Sequence, residues 1–151
     1  MSKALIAILK NDYGVESRGY SFEYNNIYLP ICSMLGQDNV ILFDFYSELK
    51  SLGKNGMNKK LKEIVIAEKP DFALFVLFEN EFDEETISSL RNYTKTISYF
   101  IDDPWRVEFA KHWRKYFNYF STPDYYTYQK YLFDNITNVI YSPFGFNPDI
   151  Y

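Results

Sequence analysis

Short apolar runs recur along the chain, separated by stretches in which apolar positions return at helical spacing. Six runs have strand length: Ala4 to Leu9 (ALIAIL), Val40 to Phe45 (VILFDF), Phe72 to Phe78 (FALFVLF), Thr96 to Ile101 (TISYFI), Tyr119 to Ser121 and Asn138 to Tyr141 (NVIY). Most are continuous rather than alternating, the pattern of strands buried on both faces of a parallel sheet. Between them, Ser21 to Leu35, Met57 to Glu68, Asp83 to Asn92, Trp105 to Phe117 and Asp124 to Phe133 read as helices. This alternation predicts an α/β, doubly wound, mostly parallel sheet of about six strands with helices on both faces, a Rossmann-like fold.

The punctuation agrees with that reading. Gly36 follows the first helix, Lys69-Pro70 ends the second, and Gly53, Asn55 and Gly56 mark a loop before it. No repeat, linker or low-complexity segment interrupts the pattern, so residues 1–151 are expected to form one domain. In an open parallel sheet, ligands collect beyond the carboxyl ends of the strands where the strand order reverses. With the common order 3-2-1-4-5-6, that point lies between strands one and four. The loop from Asn11 to Tyr20 would then face the loop from Asp102 to Pro104.

Composition narrows the chemistry. The 151 residues, 47% of them hydrophobic, suffice for a real core. A formal charge of −4 and the lack of a Lys/Arg block argue against nucleic acid as a partner. Cys32 is the sole cysteine and His112 the sole histidine, which excludes a disulfide or a His/Cys zinc site within one chain. The apolar run at the N-terminus is too short for a signal segment or a membrane span, so the expected setting is soluble and cytoplasmic. Aromatic residues reach 21%, from 15 Tyr, 14 Phe and 2 Trp; they can fill a core, the reading composition favours, and those on loops can also stack on sugars or bases.

The candidate chemistry lies in two loops. In the first, NDYGVESRGYSFEY, the segment GVESRG fits neither the dinucleotide fingerprint nor a P-loop. It offers instead Arg18 between Gly14 and Gly19, followed by a helix start at Ser21, a set suited to an anion or a hydroxyl-rich ligand, or simply to a Ser21 N-cap beside a solvated arginine. Flanked by glycines, this loop is expected to be mobile.

In the second loop, YFIDDPW, Asp103 directly precedes Pro104 and is placed to cap the following helix. One cap needs one carboxylate, which leaves Asp102 to bind a hydroxyl or to act as a general base. Two adjacent carboxylates without further ligands at useful spacing make a poor metal site. Glu79 and Glu81 follow strand three on the same side, and His112 falls on the partly exposed face of its helix.

With YFIDDPWRVEFAKHWRKYFNYFSTPD and NVIYSPFGFNPDIY both in view, the chain resembles the amino-terminal half of glycosyltransferases of the spore-maturation-protein (CgeB-like) type, which have the GT-B architecture. The resemblance rests on Asp102 to Trp105, on the T-x-D of Thr122 to Asp124, on a Tyr-bearing helix with Tyr128 or Tyr131, on the Pro143 to Pro148 turn and on SRGYSFEY at Ser17 to Tyr24. It implies a metal-independent transferase that needs no cofactor, in which this domain lines the acceptor side of the cleft and a second domain or subunit, absent here, holds the nucleotide-sugar donor. Asp102 would be the base for an acceptor hydroxyl on a sugar or protein. Arg18, Gly19, Tyr20, Glu23, Asp103, Trp105, Asp124 and Gly145 would contribute to substrate binding. Apolar or aromatic surface left uncovered on the cleft side by the missing half would favour self-association or capture of a partner. The alternative is a non-catalytic Rossmann-like module that binds carbohydrate or protein. A receiver domain is disfavoured, since the acidic pair stands after strand four rather than strand one.

Overall fold

The computed structural model describes residues 2–150. Its centre is one parallel sheet of β1 (Ala4–Ile8), β2 (Val40–Asp44), β3 (Phe72–Phe75), β4 (Lys95–Tyr99), β5 (Tyr119–Thr122) and β6 (Val139–Tyr141). All six expected strands are present, shortened at their carboxyl ends in β3 and β4. Their order is 2-1-3-4-5-6 rather than 3-2-1-4-5-6. The chain leaves β2, crosses β1 and pairs β3 on the other side of β1, with Ala4 opposite both Val40 and Phe72. The reversal therefore lies between β1 and β3.

That crossing is made by α2 (Phe45–Glu68), which buries Phe45, Met57, Leu61 and Val65. The expected loop before Met57 is reduced to a single break at Gly53, whose φ of 67° is one that a glycine adopts without cost. Asn55 and Gly56 stay helical, because the helical segments on both sides of the break are needed to span the sheet.

Helices are shared unequally between the faces. α2, α3 (Glu84–Leu90), α4 (Val107–Trp113) and α5 (Tyr125–Phe133) pack on one face, where Leu5, Ala7, Phe43, Phe75, Phe117 and Phe120 form the larger core. The other face carries α1 (Leu29–Leu35) over Ala4, Ile6, Ile8 and Val40. This follows from right-handed crossovers: only the β1 to β2 connection runs in the opposite direction along the sheet. Because β1 lies under helices on both sides, each of its five residues is fully buried.

α1 is entered through a π turn, Tyr24–Tyr28, in which the Leu29 N–H donates to the Tyr24 carbonyl five residues back. Next in line is Pro30, which has no N–H, so the Asn25 carbonyl lacks its donor from within the helix. Asn147, 8% exposed, fills that place: its side-chain amide donates to the Asn25 carbonyl at 3.1 Å, and its backbone N–H donates to Asn26 Oδ1 at 2.7 Å. The segment after β6 is thus clasped to the start of α1. Tyr99 also donates to the Ser142 carbonyl at 3.2 Å, and the Phe144 ring meets Phe22 edge-on.

Asn147→Ala is expected to cost about 1 kcal/mol, the usual net value of a hydrogen bond. Amide exchange should quicken along residues 143–150 and stay unchanged in β1. Unchanged exchange in that segment would show that the clasp does not hold it.

Candidate functional site

The loops after β1, β3 and β4 meet over the reversal point and enclose a cavity of about 260 Å³. Its walls are the rings of Tyr13, Phe22, Phe78 and Phe109, and Asp12, Glu23, Asp102, Asp103 and Arg106 supply the polar groups. Two of the loops expected to meet here do meet. The third, after β3, is brought in by the change of strand order.

The first loop is more built than its glycines suggest. An Asn11–Tyr20 bridge and the Asp12 N–H donating to Gly19 at 3.0 Å close it. Arg18 pairs with Asp12 at 2.8 Å and lies over the Tyr13 ring, which itself stands edge-on to Phe78. Gly14, at φ 69°, abuts the Tyr46 ring, and a Cβ there would come within 2.1 Å of its Cδ1. The loop holds two 3-10 turns, Asp12–Gly14 and Glu16–Arg18. Ser21 does cap the next helix: its hydroxyl accepts from the Tyr24 N–H at 3.0 Å and donates to the Leu9 carbonyl.

The loop after β3 is ordered by Glu81. Its buried carboxylate accepts from the Phe78 and Glu79 N–H groups, each at 2.7 Å, while the Arg106 guanidinium donates to the Phe78 carbonyl at 2.9 Å. Charged sequence neighbours gave no sign that Glu81 turns inward while Glu79 stays out.

Of the aspartate pair, Asp103 is not the expected cap. α4 begins only at Val107, after a turn, and Asp103 does not cap it. Asp103 is instead 2% exposed, and its carboxylate accepts from the Tyr131 hydroxyl at 3.1 Å, with Thr122 as a further partner. A carboxylate so deeply placed needs donors from other strands, so it points inward rather than along the helix axis. Burial raises its pKa and these hydrogen bonds hold it down in part. Burial and the Asp103 charge together push the Tyr131 phenol upward. Asp102 takes the outward place at the rim, half-exposed, 3.8 Å from Arg106. The Arg106 guanidinium itself lies 4.0 Å over the Phe109 ring.

Glu23 hangs into the cavity from the first turn of the helical segment before α1. Burial raises its pKa; its own backbone N–H and Ser21 oppose the shift, and the Asp12 and Asp102 charges add to it. No lysine or arginine pairs with it among the described residues.

Of the remaining expected site residues, Gly19 closes the first loop and Tyr20 stacks on Tyr24 with ring centres 4.3 Å apart. Trp105 is 85% exposed and stands apart from the cavity lining. Asp124 caps α5, accepting from the Thr127 N–H at 2.7 Å. Gly145 lines a different hollow, beside Asn26 and Asn147. His112 pairs with Glu84 at 2.8 Å on the partly exposed face of α4, as its position implied. Tyr116 also donates to Glu84, and chiefly this bond holds that carboxyl below its ordinary value. No group of three or more His, Cys, Asp or Glu that could hold a metal is found among the described residues.

Two measurements check this geometry. Gly14→Ala should cost about 1–3 kcal/mol from backbone strain and the Tyr46 clash, whereas Gly145→Ala, with open space around it, should be near neutral. Denaturant titration of both variants compares them directly. The second concerns pH. Glu23, Glu81 and Asp103 all have pKa values raised by burial, so the folded chain holds these protons more tightly than the unfolded chain. Their contribution favours folding at and below the unfolded pKa of about 4 and is lost as pH rises through the folded values. Stability should fall over that window, and Glu23→Gln should flatten the fall. An identical pH slope in the variant would remove Glu23 from the account.

Among known proteins, no family model, no curated protein and no solved structure matches the chain.

Proposed function

We propose that this domain holds the acceptor for sugar transfer, as the acceptor-side half of a GT-B glycosyltransferase of the spore-maturation-protein type. One observation carries the reading: a half-exposed carboxylate, Asp102, stands at the rim of an aromatic-walled cavity at the reversal point of a parallel sheet. At about 260 Å³ the cavity lies below the roughly 300–1,000 Å³ of pockets for drug-sized ligands, and so suits a single sugar ring rather than a nucleotide.

In this reading Asp102 takes the proton from the acceptor hydroxyl as its oxygen bonds to the anomeric carbon. The bond from that carbon to the donor's phosphate breaks, and its electron pair leaves with the nucleoside diphosphate. The donor is held by a second domain or subunit. Arg106 stands 3.8 Å from Asp102 on the same rim. A second reading, recognition of carbohydrate without transfer, is favoured by Trp105, whose exposed indole close in sequence to Asp102 is a ready stacking platform.

Calorimetry of the isolated chain separates the outcomes. Nucleotide sugars should bind no tighter than millimolar, about 4 kcal/mol, and no sugar should be transferred. When a donor-binding partner is supplied, Asp102→Asn should abolish transfer without moving the unfolding midpoint. Transfer by that variant at the wild-type rate would leave only the recognition reading. Micromolar nucleotide-sugar binding by the chain alone would mean that a donor site lies within it.

A further inference from the structure

The charges around the cavity do not balance, and the imbalance is local. Four carboxyl groups line it, from Asp12, Glu23, Asp102 and Asp103, against the one guanidinium of Arg106. Three of the four are provided for. Asp12 has Arg18 at 2.8 Å, Asp103 has the Tyr131 hydroxyl, and Asp102 shares Arg106. Glu23 has only Ser21 and its own backbone N–H, with no cation among the described residues, and it faces the charges of Asp12 and Asp102.

Nor can the nearby arginines turn to it without loss. Arg106 is held by the Phe78 carbonyl and the Phe109 ring, and Arg18 by Asp12 and the Tyr13 ring. The cavity is therefore ill-suited to a phosphate. It is suited to a cation: a carboxyl without a counter-charge lies at one side, and aromatic side chains form the walls.

We infer that the cavity binds a hydroxylated primary amine, with the ammonium group against Glu23 and a hydroxyl against Asp102. This rests on the reading of the cavity as the acceptor site and narrows it: the acceptor carries a free amino group, as an amino sugar does. The amine brings the charge that Glu23 lacks, and the rings pack against the ligand's C–H faces. An N-acetylated or neutral sugar of the same size leaves the carboxyl unpaired in a partly dry site, which costs affinity.

The test is titration of the full chain, followed by amide shifts in ¹⁵N-labelled protein, with glucosamine, glucose, N-acetylglucosamine and 2-aminoethanol. Glucosamine is expected to bind about tenfold tighter than glucose or N-acetylglucosamine, the effect of one partly desolvated charge pair. The shifts should fall on the loops around Tyr13, Glu23 and Asp102. Glu23→Gln should remove the preference, and added salt should weaken it in the wild-type chain, a readout independent of how well the variant folds. Equal affinity for glucosamine and glucose, or no shift in these loops with either amine, overturns the inference. The first of those results leaves the carbohydrate reading standing. If 2-aminoethanol binds as tightly as glucosamine and depends equally on Glu23, the ammonium site holds and the sugar reading fails.

Discussion

Everything at the candidate site follows from the placement of β1. Its five residues are buried on both faces, and its two neighbours, β2 and β3, leave it in opposite directions along the sheet. Two connections that diverge cannot cover the carboxyl end of the strand between them, so a gap opens there. The loops after β1 and β3 form its sides and the loop after β4 adds its rim. The cavity is a result of connectivity before it is a result of any side chain.

Once the gap exists, polar groups must be seated around it at acceptable cost, and two buried carboxyls and one partly buried one solve this in different ways. Glu81 is met by two backbone N–H groups and thereby fixes the loop after β3. Asp103 is met by hydroxyls from β5 and α5, so it ties the far part of the sheet to the rim. Glu23 is met only by Ser21 and its own backbone. Glu81 and Asp103 complete their partners within the fold, and Glu23 does so least.

The fold was largely legible in the sequence, because continuous apolar runs such as ALIAIL and FALFVLF admit few environments other than the middle of a parallel sheet. Strand order was not, since apolar content is the same for β1 beside β3 or beside β4. The loop expected at residues 53–56 is cut down to the break at Gly53, because the helix continues through Asn55 and Gly56 in spite of a cost of about 1 kcal/mol for a helical glycine. At the site, Asp102 falls where local reasoning put it, in the crevice beyond β4. Asp103 does not, because capping is a rule about the next few residues, while its partners Thr122 and Tyr131 arrive from later strands and helices. Arg18 looked free only because its partner Asp12 is six positions earlier, across a loop whose path composition does not reveal. No membrane-crossing helix is found among the described residues.

The proline in α1 carries one more implication. Pro30 leaves a carbonyl that nothing inside the helix can answer, and Asn147 answers it from the opposite end of the chain. The route of the last segment is therefore addressed by a residue that the segment does not contain. Phe144, carried along that route, leans on Phe22, and Phe22 is itself a wall of the cavity. The segments that hold Phe22 and Phe144 thus share one partition with the cavity, and a change in the size of residue 22 would be felt on both sides of it.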